Sequence, residues 1–344
     1  MATLMEGNLD AKEVNKAKAG MKEDYPRGIP ECGTDAMRFT LCSYTTGGRD
    51  INLNILRVDG YRKFCNKLWN ATKFAMMKLG NDFKPNSCRV STNVNLVDQW
   101  ILYLLDKTLR DVQSSLTEYN FAQATMHVHQ WWLYQLCDVY IEAIKPICDA
   151  GLAEGADEKA KSAAVAAQQT LYTCLDEGLK TMHPFMPFVT EELWQRLPRR
   201  AGDATPSIMV AEWPEGLAER EQYKAEAERF EKVVDVIKGT RSLATLCDLK
   251  QGGESSLFCS SHWLYKCTDN IYLALVVAKS ADLASLLKAQ LPLISTMTGK
   301  QSTVQIVAAS EDTAGILGDG QAWQQSAILE DQVTLYIKGS LKPQ

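Results

Sequence analysis

Apolar residues in the first two thirds of the chain recur every three or four positions, which is the period of a helix buried along one side. The clearest example is the segment from Arg57 to Lys78. Its predicted buried side consists of Tyr61, Phe64, Cys65, Leu68, Trp69, Thr72, Ala75, Met76 and Leu79. The opposite side carries Lys63, Lys67, Asn70, Lys73 and Phe74. This pattern places Trp69 in the core and Phe74, an aromatic ring flanked by cations, on the solvent-facing side.

The same periodicity predicts further helices around this segment. They cover Gly33 to Tyr44 and approximately 97–119, 121–144, 158–182, 190–197 and 219–242. The helix over 121–144 is apolar on nearly every side, which predicts burial within a bundle, and Pro146 is expected to end it. We therefore expect an up–down bundle of four to five helices.

The pattern changes near the C-terminus, where apolar runs of strand length appear. The segments YLALVVA (272–278), STVQIVAA (302–309) and QVTLYIKG (332–339) predict strands, and 281–291 predicts a helix between them. The stretch 245–270 is rich in Cys and Ser without a clear period, and it is either a divergent loop or the product of an error in gene prediction. The sequence therefore predicts a mainly α protein: a helical bundle followed by a small α/β appendage.

Charge adds a functional expectation to the segment from Arg57 to Lys78. It holds six Lys/Arg and one acid, Asp59, in a chain of net charge −5. Cations neutralise phosphates, and an exposed ring can stack on an unpaired base for ~1–3 kcal/mol. Because RNA loops offer unpaired bases and duplexes do not, the pattern favours a single-stranded region of RNA. The alternative is that Phe74 packs under a neighbouring helix and the lysines form an ordinary solvated face.

Composition is that of an ordinary globular chain, with 46% hydrophobic and 23% charged residues among 344. Apolar runs fall short of the ~20 residues that cross a bilayer, and the N-terminal stretch with Glu6 and Asp10 is too polar for a signal peptide. The ten cysteines are spaced singly along apolar faces, as reduced cysteines are. We expect a cytoplasmic protein without membrane contact and without a disulfide framework.

Candidate metal ligands are weak. His127 and His129 lie two positions apart on a helix, so their side chains point in different directions and cannot share one ion. A second group, Cys247, Cys259, His262 and Cys267, lacks the paired spacing that zinc sites use. His183 is expected to pack at a Pro-rich corner, and Glu191 and Glu192 are expected in the first turn of the helix after it. The sequence therefore predicts neither a metal site nor catalytic residues.

Three blocks, in order, resemble eukaryotic-type valine–tRNA ligases. They are IPECGTDAMRFTLCSYTTGGRDINLNILRVDGYRKFC continued by NKLWNATKF, then WWLYQLCDVYIEAIKP, then QQTLYTCLDEGLKTMHPFMPFVTEELWQRLPRR. The resemblance runs from about Leu4 to Pro214 and implies the helical anticodon-binding bundle of class I aminoacyl-tRNA synthetases. It divides the chain into a junction with the catalytic core at 1–48, the bundle at 49–215 and a divergent α/β appendage at 216–344.

The resemblance also implies which residues bind tRNA, with the valine isoacceptor as the expected partner. Lys73 and Phe74 close NKLWNATKF, where family members place a basic residue before an aromatic one near the anticodon. Asn52 matches a position on the loop that enters the same site. The candidate phosphate ligands are Arg57, Arg62, Lys63 and Lys67. Leu56 and Asn54 depart from the family pattern on that loop.

Two signatures with which the family binds ATP, His-Ile-Gly-His and Lys-Met-Ser-Lys-Ser, do not occur in the sequence, nor does a phosphate-binding glycine loop. ATP and Mg²⁺ are therefore expected as ligands of the full-length family enzyme, with no cofactor held by this chain. The competing hypothesis is a non-catalytic helical scaffold, derived from a ligase, that binds a translation partner. Translation elongation factors and other synthetases are candidates for that partner.

Overall fold

The computed structural model describes residues 10–26, 28–45, 51, 53–86, 94–246, 273–298, 303–309 and 323–338. Its N-terminal helices are α1 (Ala11–Asp24), α2 (Thr34–Ser43), α3 (Ile55–Leu79), α4 (Leu96–Thr117) and α5 (Phe121–Gln130). A π-helical segment (Trp131–Tyr140) leads into α6 (Ile141–Leu152), followed by α7 (Glu158–Met182) and α8 (Pro187–Trp194). Two 3₁₀ turns, Ile208–Val210 and Ala218–Tyr223, precede α9 (Lys224–Leu246). The predicted helical bundle is confirmed.

The C-terminal part is a small sheet with helices. It contains β1 (Leu273–Ala278), α10 (Ala281–Ala289), α11 (Leu291–Thr298), β2 (Thr303–Ala308), β3 (Trp323–Ile328) and β4 (Val333–Lys338). The strand order is β2-β1-β4-β3, with β1 and β2 parallel and the other neighbours antiparallel. Three strands match the sequence prediction. The strand β3 was missed because its sequence, WQQSAI, is too polar to show a strand pattern.

Helix α7 lies at the centre of the bundle and contacts α3, α4, α5, α6 and α8. Every residue from Ala166 to Leu179 is buried, although many of them are polar. Two of the polar side chains bond to neighbouring backbone: Gln168 donates to the carbonyl oxygen of Lys78 at 2.7 Å, and Gln169 donates to that of Lys84 at 2.8 Å. Because buried polar groups must be hydrogen-bonded, these contacts determine where the ends of α3 and its following loop lie.

Close backbone approach to α7 depends on Gly178. A Cβ atom there would lie 2.7 Å from Cζ3 of Trp131 and 3.1 Å from Cζ2 of Trp132. The carbonyl oxygen of Gly178 accepts a hydrogen bond from the indole N–H of Trp132 at 3.2 Å. The two tryptophans of the π-helical segment can therefore pack against α7 only because this residue has no side chain.

Two sequence expectations about helix ends are wrong. The helix that contains Pro146 continues to Leu152, because Ile144 and Cys148 on either side of the proline are fully buried in the core and outweigh the one lost amide donor. Helix α8 begins at Pro187, in keeping with the preference of proline for a first turn. Glu191 and Glu192 therefore lie beyond its first turn.

Helix α9 connects the bundle and the sheet. It packs on α4 on one side and on β3 and β4 on the other, and α11 contacts both α9 and α6.

The predicted domain limits after residues 48 and 215 stay a prediction. Among the described residues, none of the helices is both long and apolar enough to cross a membrane.

A fully buried ionic cluster ties α4, α7 and the turn before α9 together. The Arg220 side chain is 0% exposed, and its Nη1 atom lies 2.7 Å from Oδ1 of Asp106 and 3.1 Å from Oε2 of Glu177. The other carboxylate oxygen of Asp106 accepts the backbone N–H of Leu217 at 2.8 Å. The two carboxylates raise the pKa of Arg220 against the opposing effect of burial, so the guanidinium stays charged in the core.

We predict that Arg220→Met destabilises the chain by about 3–5 kcal/mol, because it leaves two buried carboxylates without their cation. The unfolding free energy is measured by urea denaturation at neutral pH. Arg229→Met is the matched control, since the Arg229–Glu226 pair on α9 is exposed and contributes about 0–1 kcal/mol. Equal stability losses in the two variants would show that the buried cluster has no special importance.

Candidate nucleic-acid interface

Helix α3 presents the surface on which the predicted site residues lie. The Asn54 side chain caps its N-terminus by accepting the backbone N–H of Leu56 at 2.9 Å, and Gly80 ends the helix with a positive φ of 77°. Its buried side consists of Val58, Phe64, Leu68, Ala71, Thr72, Ala75 and Leu79. Its exposed side consists of Arg62, Lys63, Asn66, Asn70, Lys73 and Met77. The exposed side carries cations, as the sequence predicted, and two amides, whereas the predicted members Lys67 and Phe74 are half-buried.

Two aromatic rings border this exposed side. Trp69 is 39% exposed, and the guanidinium of Arg196, just beyond α8, lies 5.3 Å from its ring centroid. Phe74 is half-buried, with Nζ of Lys145 at 5.3 Å and Nζ of Lys78 at 5.7 Å from its centroid. Five helical positions separate the rings by about 140° around the axis. An unpaired base can therefore meet a ring at either edge of the exposed side.

The predicted places of both rings need correction. Trp69 was expected in the core but is partly exposed, because the neighbour of its ring is the charged guanidinium of Arg196. Arg196 lies beyond Trp194, the last residue of α8. Phe74, expected on the solvent-facing side, packs in part against the core because α6 runs beside α3 and brings Lys145 over the ring. The prediction therefore placed the buried side of α3 too far around the helix, towards α8.

The predicted lysines differ in whether their charge is available to bind a phosphate or is already paired with an acid. Lys73 is exposed and has no ion pair in the described part of the chain. Lys63, also exposed, is paired with Asp59 on its own helix at 2.9 Å. Lys67 is half-buried and lies 3.5 Å from Asp138 of the π-helical segment, where burial raises the pKa of Asp138 and Lys67 opposes that rise. Lys73 is thus the predicted lysine best placed to meet a phosphate.

The predicted arginines lie at the start of α3. Arg57 is exposed, and its guanidinium lies 4.6 Å from the ring centroid of Tyr44, which follows α2. Arg62 is exposed and donates a hydrogen bond to the carbonyl oxygen of Glu31. Asn52, the remaining predicted contact, lies outside the described residues. The two arginines link the preceding segment to α3, and both residues are exposed.

Sequence reasoning missed a second group of cations beside α8. The guanidinium of Arg199 lies 3.4 Å from the ring centroid of Trp194, and that of Arg200 lies 4.9 Å from the ring centroid of Tyr172. Behind them, Asp176 of α7 accepts the indole N–H of Trp194 at 2.9 Å and pairs with Lys180 at 3.0 Å. The sequence feature from which these cations could have been predicted is the pair of arginines after Pro198.

The histidines behave as packing residues. His129 lies among the rings of Phe39, Tyr61 and Phe64, at centroid distances of 6.2, 5.7 and 4.6 Å. Burial, aided by nearby Lys67, lowers the pKa of His129 to about 4, so the ring is neutral at pH 7. His183 packs at the Pro-rich corner with its Nδ1 atom 2.7 Å from Oγ1 of Thr190, as expected.

No group of three or more potential metal ligands forms in the described part of the chain. The cysteine cluster around His262 lies outside the described residues.

Glu191, for which the sequence predicted no catalytic role, accepts hydrogen bonds from the Ser207 hydroxyl at 2.8 Å and from the Ile208 backbone N–H at 3.0 Å. It therefore holds the loop after α8 in place.

One comparison with known proteins matches the part of the chain that follows α3. The family of the anticodon-binding domain of tRNA ligases matches residues 98–258, which begin within α4. Among solved structures, a ternary complex of Agrobacterium radiobacter LeuRS with tRNA and LeuAMS covers 56% of this chain and 21% of that chain, at 19% identity and a TM-score of 0.38. That structural likeness is too low to support an argument.

Similarity to curated sequences is much stronger. The valine–tRNA ligase of Schizosaccharomyces pombe is 49% identical over 288 residues, which cover 83% of this chain and 27% of that protein. The mitochondrial valine–tRNA ligase of Saccharomyces cerevisiae is 48% identical over 74% of this chain and 22% of that protein, and the human valine–tRNA ligase is 49% identical over 70% and 18%. The chain thus spans only about a quarter or less of these relatives. The matches show that the chain belongs to the valine–tRNA ligase family, and that residues 98–258 match the anticodon-binding domain of tRNA ligases.

Proposed function

We propose that this chain binds the anticodon region of a valine tRNA through the exposed side of α3. The observation that carries the proposal is the arrangement on that helix: Lys73, a cation without an ion pair among the described residues, lies between two partly exposed rings, Trp69 and Phe74. A cation of this kind neutralises a phosphate, and the rings offer stacking surfaces to unpaired bases. Splayed single-stranded loops are the form of RNA that such a surface suits.

The amides of α3 add a means of telling bases apart. Asn66 and Asn70 lie on the exposed side between the two rings. Each carries both donors and an acceptor, which can pair with the edge of an unpaired base. In this proposal, the cations position the RNA and the amides read it, since phosphate contacts alone carry no sequence information.

The activity of the whole protein is likewise a proposal. The relatives are named valine–tRNA ligases, and we propose that this chain supplies the tRNA-binding part of such an enzyme, which joins valine to its tRNA with ATP and Mg²⁺. The sequence contains neither ATP signature, and no cluster of metal ligands forms among the described residues. We therefore assign no residue of this chain to ATP or Mg²⁺.

The direct experiment is equilibrium binding of a valine tRNA transcript to the intact chain, against a copy with all three anticodon nucleotides changed. We expect the altered transcript to bind at least tenfold more weakly, and both affinities to fall steeply with salt. Equal affinities would show that the anticodon is not read. No binding of either transcript would favour the scaffold hypothesis, in which a protein partner takes the place of tRNA.

We expect Trp69→Ala and Phe74→Leu each to weaken tRNA binding by ~1–3 kcal/mol, because each removes a stacking surface. Leucine is chosen at position 74 because it retains apolar packing against the core. Tyr119→Asn is the matched control: it removes an 80% exposed ring after α4 and suits the positive φ of 57° at that position. If only the control weakened binding, the RNA would contact the surface around Tyr119.

We expect Lys73→Ala to reduce the slope of log affinity against log salt concentration by about 1, the change for one lost phosphate contact. The slope is obtained from filter binding at several salt concentrations. Lys224→Ala removes an equally exposed lysine, at the start of α9, and should leave the slope unchanged. A slope that is the same in both variants and in the unaltered chain would remove Lys73 from the interface.

A further inference from the structure

The four cations beside α8 are not equally open to a ligand. Lys180 and Arg200 both face Asp176, at 3.0 and 3.8 Å, and their side chains are only 11% and 14% exposed. By contrast, the Arg196 side chain is 50% exposed, and Arg199 is partly exposed. The charges that a ligand can reach are therefore those of Arg196 and Arg199, which we call the arginine ridge.

A buried ring holds Arg199 in place. Its guanidinium lies 3.4 Å from the ring centroid of Trp194, which is a van der Waals distance for two planar groups. The ring is itself fixed, because it is 2% exposed and its indole N–H donates to Asp176. Nη2 of Arg199 also donates to Oε1 of Gln195 at 3.0 Å. A cation held in this way loses little further side-chain freedom when it binds an anion.

The charge of Arg199 is not cancelled by an ion pair in the described part of the chain. The acid that senses it, Asp203, is engaged elsewhere and accepts the backbone N–H of Thr205 at 3.0 Å. Hydrogen bonds from Thr205 are the main cause that lowers the pKa of Asp203, and Arg199 contributes less. The guanidinium therefore keeps N–H donors for a phosphate, which arginine can bind through two parallel hydrogen bonds.

Arg196 joins the ridge to α3. Its guanidinium lies 5.3 Å from the ring centroid of Trp69, which borders the exposed side of that helix. Its charge is partly compensated, since Nη2 lies 2.6 Å from Oε1 of Glu192, four positions earlier, and both side chains are about half exposed. Exposed pairs of this kind are weak. A phosphate can therefore compete with Glu192 for Arg196.

We propose that the arginine ridge binds the sugar–phosphate backbone of an RNA whose unpaired bases lie on α3. The proposal rests on the proposed function of α3 and adds a second contact surface on the side of α8. Because the ridge and the stacking surface share Trp69, one RNA strand can reach both. The ridge positions the RNA without reading it, since phosphate contacts carry no sequence information. Glu192 weakens this contact, because its carboxylate repels phosphate and competes for Arg196.

The first test is a gain of affinity, which misfolding cannot produce. Glu192→Gln removes the carboxylate, keeps the shape of the side chain and releases Arg196. We expect it to bind a valine tRNA transcript about two- to fivefold more tightly than the unaltered chain. The slope of log affinity against log salt concentration should become steeper by about 1. Glu226→Gln is the matched control: it releases the exposed Arg229 on α9 and should change neither quantity.

The second test removes the unpaired cation of the ridge. We expect Arg199→Gln to weaken binding about fivefold and to reduce the salt slope by about 1. The loss should be equal for the valine transcript and for the copy with an altered anticodon, whereas Trp69→Ala should affect the valine transcript more. Arg229→Gln is the control, and urea denaturation checks that both arginine variants are folded.

The outcomes separate the ridge from the proposed function. If Trp69→Ala weakens binding while Glu192→Gln and Arg199→Gln leave affinity and slope unchanged, the ridge proposal is overturned and the role of α3 stands. A loss in Arg199→Gln that is confined to the valine transcript would overturn the positioning role. If the unaltered chain binds neither transcript, the proposed function fails and the ridge proposal fails with it.

A competing occupant of the ridge is an acidic protein segment. Polyglutamate is the probe for this alternative and is titrated against the unaltered chain under the same conditions. We expect it to bind much more weakly than tRNA and without a response to Glu192→Gln. Binding of polyglutamate as tight as that of tRNA, and strengthened by Glu192→Gln, would overturn the assignment of the ridge to RNA.

Discussion

The complete burial of α7 is the constraint from which the rest of the bundle follows. A helix with many polar residues along a fully buried stretch is stable only if most of the polar groups find partners, because an unsatisfied buried group costs about 1–3 kcal/mol. Its hydrogen-bond partners belong to three surrounding elements. They are Arg220 in the turn before α9, the Trp194 indole of α8, and the backbone carbonyl of Lys78 at the end of α3. These contacts place the surrounding elements with little freedom.

This constraint also determines the candidate RNA-binding surface. Helix α3 is held on one side by α8 and by Met186 just before it, whose sulfur atom contacts that of Cys65, and on the other side by α6, through the ion pair of Lys78 with Asp149. The two neighbours leave one arc of α3 open to solvent. Trp69 and Phe74 lie at the borders of that arc, so each ring is supported by a neighbouring helix and keeps part of its surface accessible. A ring held in this way loses little conformational freedom when it stacks on a base.

The charge of the surface is equally a product of the surroundings. The chain is acidic overall, with a net charge of −5, yet three acids near α3 form ion pairs with Lys63, Lys67 and Lys78. Lys73 lies between these pairs without an acid of its own among the described residues. A local cation of this kind can attract phosphate even on an acidic protein, because salt screens more distant charges over roughly 10 Å. The cations around Trp194 extend the basic character beyond α3.

Single elements show how much of the structure could be predicted from the sequence. Helix α7 was predicted with its observed limits, Glu158 and Met182. The family resemblance and the position of the cationic segment also came from the sequence alone, since they depend on residue order. The environments of Trp69 and Phe74 did not: a helical wheel gives the angle between two side chains, but the core direction depends on where α6 and α8 pack. That Nε2 of His183 and Nε1 of Trp213 have no hydrogen-bond partner among the described residues is decided only in the tertiary structure, because hydrogen-bond satisfaction depends on neighbours far apart in the chain.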